Sequence, residues 1–349
     1  MYTSLKKGLT VFLILIFCFG FFYGFEEEAQ ATSSKDSSSM TTPIDNMTFG
    51  QIEELLLTFM KNNGINYVVG SSEFTDYVFE QALGETDPKL EKDKNYFAFT
   101  AYFARYICAL DEQQSLKSNY EDTLLSQISQ TNFSTDSFKD KTVKQIRDKN
   151  LAEEAKTAKK LELQQDNFIA PFSYTGYSPS AAVSYAHRWV SNTTKLRNPA
   201  YPSYSADCTN YVSQCLVAGG IAEKRPSPVP SGIYATSSYW YCDKVGTSTW
   251  KVSTPWIRVS GTKNFHDYWA PKVRDANYQG DTTVSRNADL GDVVQIRHAG
   301  TLDRFHTTIV TKFIGGTACL SYHTTDREDY PISNLNDYAY DWSLLDFAS

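Results

Sequence analysis

The sequence predicts an α+β protein. Three observations carry that class. Residues from Thr48 to about Gln165 follow helical periodicity, the composition turns at Pro171 to Gly, Pro, Tyr and Trp, and short apolar segments bounded by turns follow toward the C-terminus. With 349 residues and a hydrophobic fraction of 41%, the chain is long enough for two domains with real cores. The expected division is a signal peptide or membrane anchor at 1–31, a flexible tether at 32–43, a helical domain of unknown role at 44–170 and a second domain at 171–349.

The elements read in order as follows. Lys6 and Lys7 precede an apolar run from Leu9 to Phe25, and Ala29-Gln30-Ala31 offers a cleavage site, so a mature chain is expected to begin near Thr32. An uncleaved anchor is the alternative, supported by the acidic Glu26 to Glu28. The Ser/Thr-rich tether follows. Thr48 and Gln51 have capping-box spacing, and Phe49, Ile52, Leu55, Leu56, Phe59 and Met60 recur at helical intervals up to Gly64. A second helix surrounds Phe74, Val78, Phe79 and Leu83, and a third, apolar nearly all round, spans Tyr96 to Leu110. Polar helices follow, ending in Leu151–Gln165. After Pro171, Ser180 caps a short amphipathic helix, and Asp207-Cys208 opens another that Gly219-Gly220 closes. Strands are expected at Asp292–Arg297, His306–Ile314 and Thr317–His323, the last two joined by Gly315-Gly316.

The formal charge of -7 and pI of about 5.3 argue against a nucleic-acid partner. No C-x-x-C or H-E-x-x-H spacing occurs, so neither a metal nor a cofactor is expected. A membrane contact is expected only through the N-terminal segment, if it is not cleaved. Cys108, Cys208, Cys215, Cys242 and Cys319 make an odd set, which leaves at least one free thiol. Cys108 lies in the most apolar helix and reads as core.

Cys208 stands at a helix start, where unpaired N–H groups and the helix dipole favour a thiolate, and Asp207 is a natural N-cap. Cys215, two turns on, falls in the buried stripe. These residues alone leave Cys208 open between nucleophile and structural thiol. A Cys–His site would take its base from His187, His266, His298, His306 or His323. In a regular two-residue hairpin at Gly315-Gly316, position 306 faces 325 and 308 faces 323, which sets His323 on the side of His306, one diagonal step away. His323 is then the expected orienter of His306, and Asp326 the acidic alternative.

The blocks Tyr185-Ala186-His187-Arg188-Trp189, Asn198-Pro199-Ala200-Tyr201, the run from Asp207 to Cys215 (D-C-T-N-Y-V-S-Q-C), and Ala218-Gly219-Gly220 resemble the bacterial "putative amidase domain" family. So do the blocks Leu290 to Gln295, His306 to Thr311, and Leu320 to Asp326, in the same order and at similar spacing. The resemblance covers about residues 174–340. Tyr211 stands where Phe is usual, and Cys242 follows Trp240-Tyr241 where a further aromatic is common. The family is related to the NlpC/P60 and CHAP groups. The resemblance therefore implies a papain-like domain, with a nucleophile helix packed on a small antiparallel sheet. It implies Cys208 as nucleophile, His306 as base, and His323 or Asp326 as the third residue.

The implied chemistry is acyl transfer through a thioester, with the Cys208 N–H as oxyanion donor. The loop before the helix adds Tyr201 and Tyr204, beside Asp207, as candidate oxyanion or substrate contacts, although packing is the plainer role for the tyrosines. Export together with this resemblance points to peptidoglycan or a cell-wall peptide as partner. The bond would be muramoyl-alanine or one within the stem peptide, and the location secreted or cell-surface. A non-catalytic wall-binding or adhesion module on the same fold, and an acyl or peptidyl transferase, are the alternatives.

Overall fold

Capping and periodicity place the first helices where the sequence predicts them. The computed structural model describes residues 44–117, 133–162, 174–335 and 338–348. The expected signal segment, the tether and the boundary near residue 171 lie outside the described residues. Thr48 Oγ1 accepts from the Gln51 N–H at 3.2 Å while Gln51 Oε1 accepts from the Thr48 N–H at 2.9 Å, the reciprocal capping box of α1 (Phe49–Asn62). Then come α2 (Ser72–Leu83), the short α3 (Pro88–Glu91), α4 (Tyr96–Lys117) and α5 (Val143–Glu162). The all-round apolar α4 is central, with Ala98 to Cys108 buried throughout. Among the described residues no helix is long and apolar enough to cross a membrane.

The C-terminal part supplies α6 (Pro179–Arg188), α7 (Cys208–Ala218), α8 (Thr254–Ile257), α9 (Phe265–Trp269) and α10 (Asp281–Asn287). Its strands are β1 (Ile233–Tyr234), β2 (Cys242–Lys244), β3 (Trp250–Ser253), β4 (Arg274–Gln279), β5 (Val293–His298), β6 (Arg304–Ile314), β7 (Thr317–Tyr322), β8 (Arg327–Pro331) and β9 (Tyr340–Asp346). The first three form a small sheet in the order β1-β3-β2, and the rest an antiparallel sheet in the order β4-β9-β5-β6-β7-β8. The class is α+β, as expected. Gly315 and Gly316 turn the β6–β7 hairpin with φ of 59° and 86°, the left-handed pair such a turn needs.

The helices of 44–162, expected as a domain of their own, are one layer of a single body with the sheet. Side chains alternate across a strand, so the sheet has two apolar faces. Val294, Ile296, Val310, Leu320, Trp342 and Leu344 join Phe99, Tyr102 and Phe103 of α4 in one core. Val293, Ile309 and Leu345 join Tyr211, Cys215, Trp240, Trp256 and Trp269 in the other, beneath α6 to α9. Tyrosine hydroxyls tie the first pair of layers: Tyr322 donates to the Leu83 carbonyl at 2.7 Å, and Tyr340 to that of Ala82 at 3.0 Å. Both close the C-terminal end of α2, where helix carbonyls lack intrahelical donors.

Two bulges interrupt β6. Ile296 pairs with His306 but Arg297 with Arg304, leaving Phe305 extra. Val310 pairs with Leu320 but Lys312 with Cys319, leaving Thr311 extra. Each odd residue reverses which face the following side chains meet.

Because the helices cover one whole sheet face, a chain begun at residue 174 should bare Ile296, Trp342 and Leu344. It is expected to keep far-UV signal yet bind a hydrophobic dye and melt without a cooperative transition. A sharp, dye-free calorimetric transition would show that the sheet stands without the helices.

Candidate active site

Asp207 ends the loop before α7 and does not cap it: its side-chain oxygens accept from no backbone N–H of the first turn. The carboxylate turns back and sideways instead. Oδ1 accepts from the Tyr204 N–H at 3.1 Å and from Asn210 Nδ2 at 2.8 Å. Oδ2 faces His323 Nδ1 at 2.7 Å and Arg197 Nε at 3.0 Å. Its own N–H donates to Thr324 Oγ1 at 2.9 Å. A carboxylate this buried is tolerable only with its lone pairs filled, and here four donors fill them. The polar residues that follow are spent on packing contacts. Asn210 bridges the Pro202 carbonyl and Trp256 Nε1, Tyr211 donates to the Ala186 carbonyl, Ser213 to that of Trp256, and Gln214 accepts from Tyr185.

Cys208 is the first residue of α7 and only 3% exposed. Burial pushes its thiol up to about 12, and the Asp111 carboxylate adds to this, while the backbone N–H of Thr307 and the Thr209 hydroxyl and N–H pull the other way. The desolvation involved is several kcal/mol on the scale of about 1.4 per pKa unit. A helix N-terminus returns about 2 kcal/mol at most, so the dipole argument for a thiolate loses to burial here. Asp111 comes from the end of α4. It accepts from Ser260 Oγ at 2.9 Å and from the Ser260 N–H at 3.1 Å, and burial raises its carboxyl to about 7. With the helical region left without an assigned role, the sequence reading singled out no residue there beside the site, and no sequence signal marked Asp111.

Among the described residues no hydrogen bond joins Cys208 to His306. Beyond Ile309↔Ser321 the register sets position 307 against 323, where a regular hairpin would set 308. The bulge at Thr311 is the reason. Thr307 accordingly faces α7, its Oγ1 2.9 Å from that of Thr209. His306 faces the α4 layer, edge-on to the Tyr322 ring at 4.7 Å, with Nε2 buried and unpartnered. The expected pairing of His306 with His323 is corrected for the same reason. His323 lies on the α7 side, stacked on Tyr211 at 4.0 Å, and its Nε2 donates to the Trp189 carbonyl at 2.6 Å. With Nδ1 on Asp207, neither ring nitrogen is left to orient another group. Asp326 is held at 2.7 and 3.0 Å by the two terminal nitrogens of Arg197, remote from its expected role beside His306. Tyr201 stacks on Trp256 at 5.8 Å, and Tyr204, like Tyr201, packs on the aromatic core. His187 pairs with Asp329 and His266 with Asp275, and His298 is buried against Thr100. Cys108 is core, as expected, its Sγ donating to the Arg304 carbonyl at 3.1 Å, and all five described cysteines are free. No cluster of metal-ligating side chains occurs among the described residues.

Residues 176–344 match the family model described as "Putative amidase domain". The match runs from the turn before α6 into β9 and leaves α1 to α5 outside it. That description points to an amidase-type hydrolase. Uncharacterized protein YhbB of Bacillus subtilis (strain 168) is 39% identical over 126 residues, 34% of this chain and 39% of that protein. The chain thus spans about two fifths of the length of that curated relative. No solved structure matches the chain.

Two outcomes follow from the buried thiol and imidazole. Labelling of Cys208 by iodoacetamide in the native chain at pH 8 is expected to run on the order of 10³-fold slower than that of an unstructured cysteine peptide, and to rise about tenfold per pH unit up to pH 10. Peptide mass mapping measures it, and fast labelling independent of pH would contradict the burial. His306 is depressed to about 3 by desolvation. The unfolded chain takes up that proton first, near 6.5, so the contribution of His306 is present above 6.5 and is lost as pH falls toward 3. Asp111 and Asp292, both raised to about 7, act with the opposite sign in part of this window, so the His306 slope must be isolated by substitution. His306→Gln should lower the slope of unfolding free energy between pH 4 and 6 by about 1.4 kcal/mol per pH unit, read from urea titrations against wild type.

Proposed function

We propose that this chain is an exported, cysteine-dependent amide hydrolase that cuts an amide bond of bacterial peptidoglycan, with a papain-like pairing of Cys208 and His306. The observation that carries the reading is the position of Cys208. It is the first residue of an 11-residue helix whose start carries no side-chain cap, tied by the saturated Asp207 to His323 after β7 and set against β6 by the Thr209–Thr307 contact. The amidase-type similarity spans this whole region. Export rests on the N-terminal sequence pattern alone.

In this reading the conformation described above is a resting one. The thiol is protonated and its base lies on the opposite face of the same strand. The segment 306–310 sits between the two bulges of β6, and a one-residue slide between them turns His306 to the α7 side. His306 then takes the thiol proton and the sulfur attacks the amide carbonyl carbon. The C–N bond breaks as His306 returns the proton to the amine, and water hydrolyses the thioester to a carboxylic acid and free thiol. The Cys208 N–H is the donor to the oxyanion. An amine in place of water would make the same intermediate a transferase, which added amine and product mass spectrometry would reveal.

The closed thiol favours one rival, a wall-binding module without catalysis. Digestion of purified sacculi, read by muropeptide mass spectrometry, separates the two. Cys208→Ala and His306→Ala are each expected to lower product release at least 10³-fold while leaving sacculus binding intact. Equal release by Cys208→Ala and wild type would reject the nucleophile. Binding without release by wild type would favour the module.

A further inference from the structure

The α7 side of the sheet carries a second polar group beside the thiol. Arg297 of β5 and Arg304 of β6 are register partners, and both point to the face that carries Gln295 and Thr307. Gln295 Nε2 donates to Thr307 Oγ1 at 3.1 Å, and Thr307 in turn meets Thr209, next to Cys208. Two residues along a strand is about 7 Å, so the arginine pair lies within one or two peptide residues of the thiol's contact on β6.

The two guanidinium groups converge on one oxygen of Glu154, from Arg297 Nη1 at 2.9 Å and Arg304 Nη1 at 3.0 Å. Glu154 arrives from α5, which runs past the β5–β6 connection, where Asn150 Nδ2 donates to the Thr301 carbonyl at 2.9 Å. The arginine side chains are 10% and 11% exposed and that of Glu154 30%, so the carboxylate enters a buried cationic pair from the solvent side. Arg297 has a resident counter-charge in Asp341 at 3.3 Å, whereas among the described residues Arg304 makes a direct ion pair with Glu154 alone, and the buried Asp275 acts on both arginines through space. The Nε atoms of both arginines, and Gln295 Oε1, are buried without partners. Burial alone would raise the Glu154 carboxyl, and the two guanidinium groups outweigh it and hold it low. The similarity to the amidase-type family covers both arginines and not Glu154.

We propose that Arg297 and Arg304 form a carboxylate-binding subsite for the substrate, and that Glu154 fills it in the resting chain as an internal stand-in. The placement of the substrate rests on Cys208 being the nucleophile. The substrate class is then an acidic peptide, with a free carboxylate within about two residues of the scissile amide. Paired forks of this kind bind a carboxylate by charge-assisted hydrogen bonds and discriminate against the neutral amide, which offers one acceptor and no charge. Release of Glu154 opens the site.

The test uses the full chain with Glu154→Gln and two probes, N-acetyl-alanyl-glutamate and its diamide, followed by isothermal titration calorimetry. The acid is expected to bind at least tenfold more tightly than the diamide, and at least tenfold more tightly to Glu154→Gln than to wild type. Adding Arg304→Gln should abolish the preference. If that variant fails to fold, Arg304→Lys in the same background keeps the charge, loses the fork and should reduce the preference at least threefold. Equal binding of acid and diamide, or binding of neither, overturns the subsite. The same titrations on Cys208→Ala keep the two proposals apart. An acid preference together with no sacculus hydrolysis by the wild-type chain rejects the hydrolase and leaves the subsite. Hydrolysis without an acid preference rejects the subsite alone.

Discussion

The Asp207 carboxylate takes donors from Tyr204 and Asn210 on one oxygen and from His323 and Arg197 on the other, so four pieces of chain meet at one buried charge. Beside the Thr209–Thr307 and Asn210 contacts, it ties the start of α7 to the preceding loop and to the end of β7. Arg197 continues to Asp326, and His323 to the Trp189 carbonyl at the end of α6. Thr324 and Thr325 follow with φ of 65° and 52°, a conformation that costs a β-branched residue free energy. The bond from the Asp207 N–H to Thr324 helps hold that turn. Such a network is strong only when complete, because removing one member leaves a desolvated charge behind.

Burial is the second organising constraint. Helical layers on both faces of one sheet leave little room for an exposed thiol, and the protonated Cys208, the neutral His306 and the raised Asp111 are all consequences of desolvation exceeding local stabilisation. The same low dielectric that silences these groups strengthens the Arg297–Glu154–Arg304 contact, since opposite charges gain where single charges lose.

Much of this was legible from residues alone. The capping box at Thr48, the apolar surround of α4, the helix opening at Cys208 and the Gly315-Gly316 hairpin are local signals, and local chemistry decides them. The candidate site was legible only in part. Cys208 sits where its motif sets it, but the polar letters beside it serve packing, as Asn210, Ser213 and Gln214 illustrate. The faces of His306 and His323 depended on a single extra residue, Thr311, and alternation by twos gives no warning of a bulge. Strand β9 escaped because it is buried on both faces and so lacks alternation. The shared core of helices and sheet escaped because composition changes where the chain changes element type, and packing does not follow composition. Arg297, Arg304 and Asp111 carried no motif, since contacts between residues so far apart in sequence leave none.

The position of β9 also sets an order of assembly. It is the last strand among the described residues and lies between β4 and β5, inside the sheet. Until it arrives, β4 has no neighbour in the sheet and β5 has an open edge. Tyr340, at its start, also closes the end of a helix formed more than 250 residues earlier in synthesis. Such long-range closure makes folding slow and leaves the sheet incomplete until β9 has emerged.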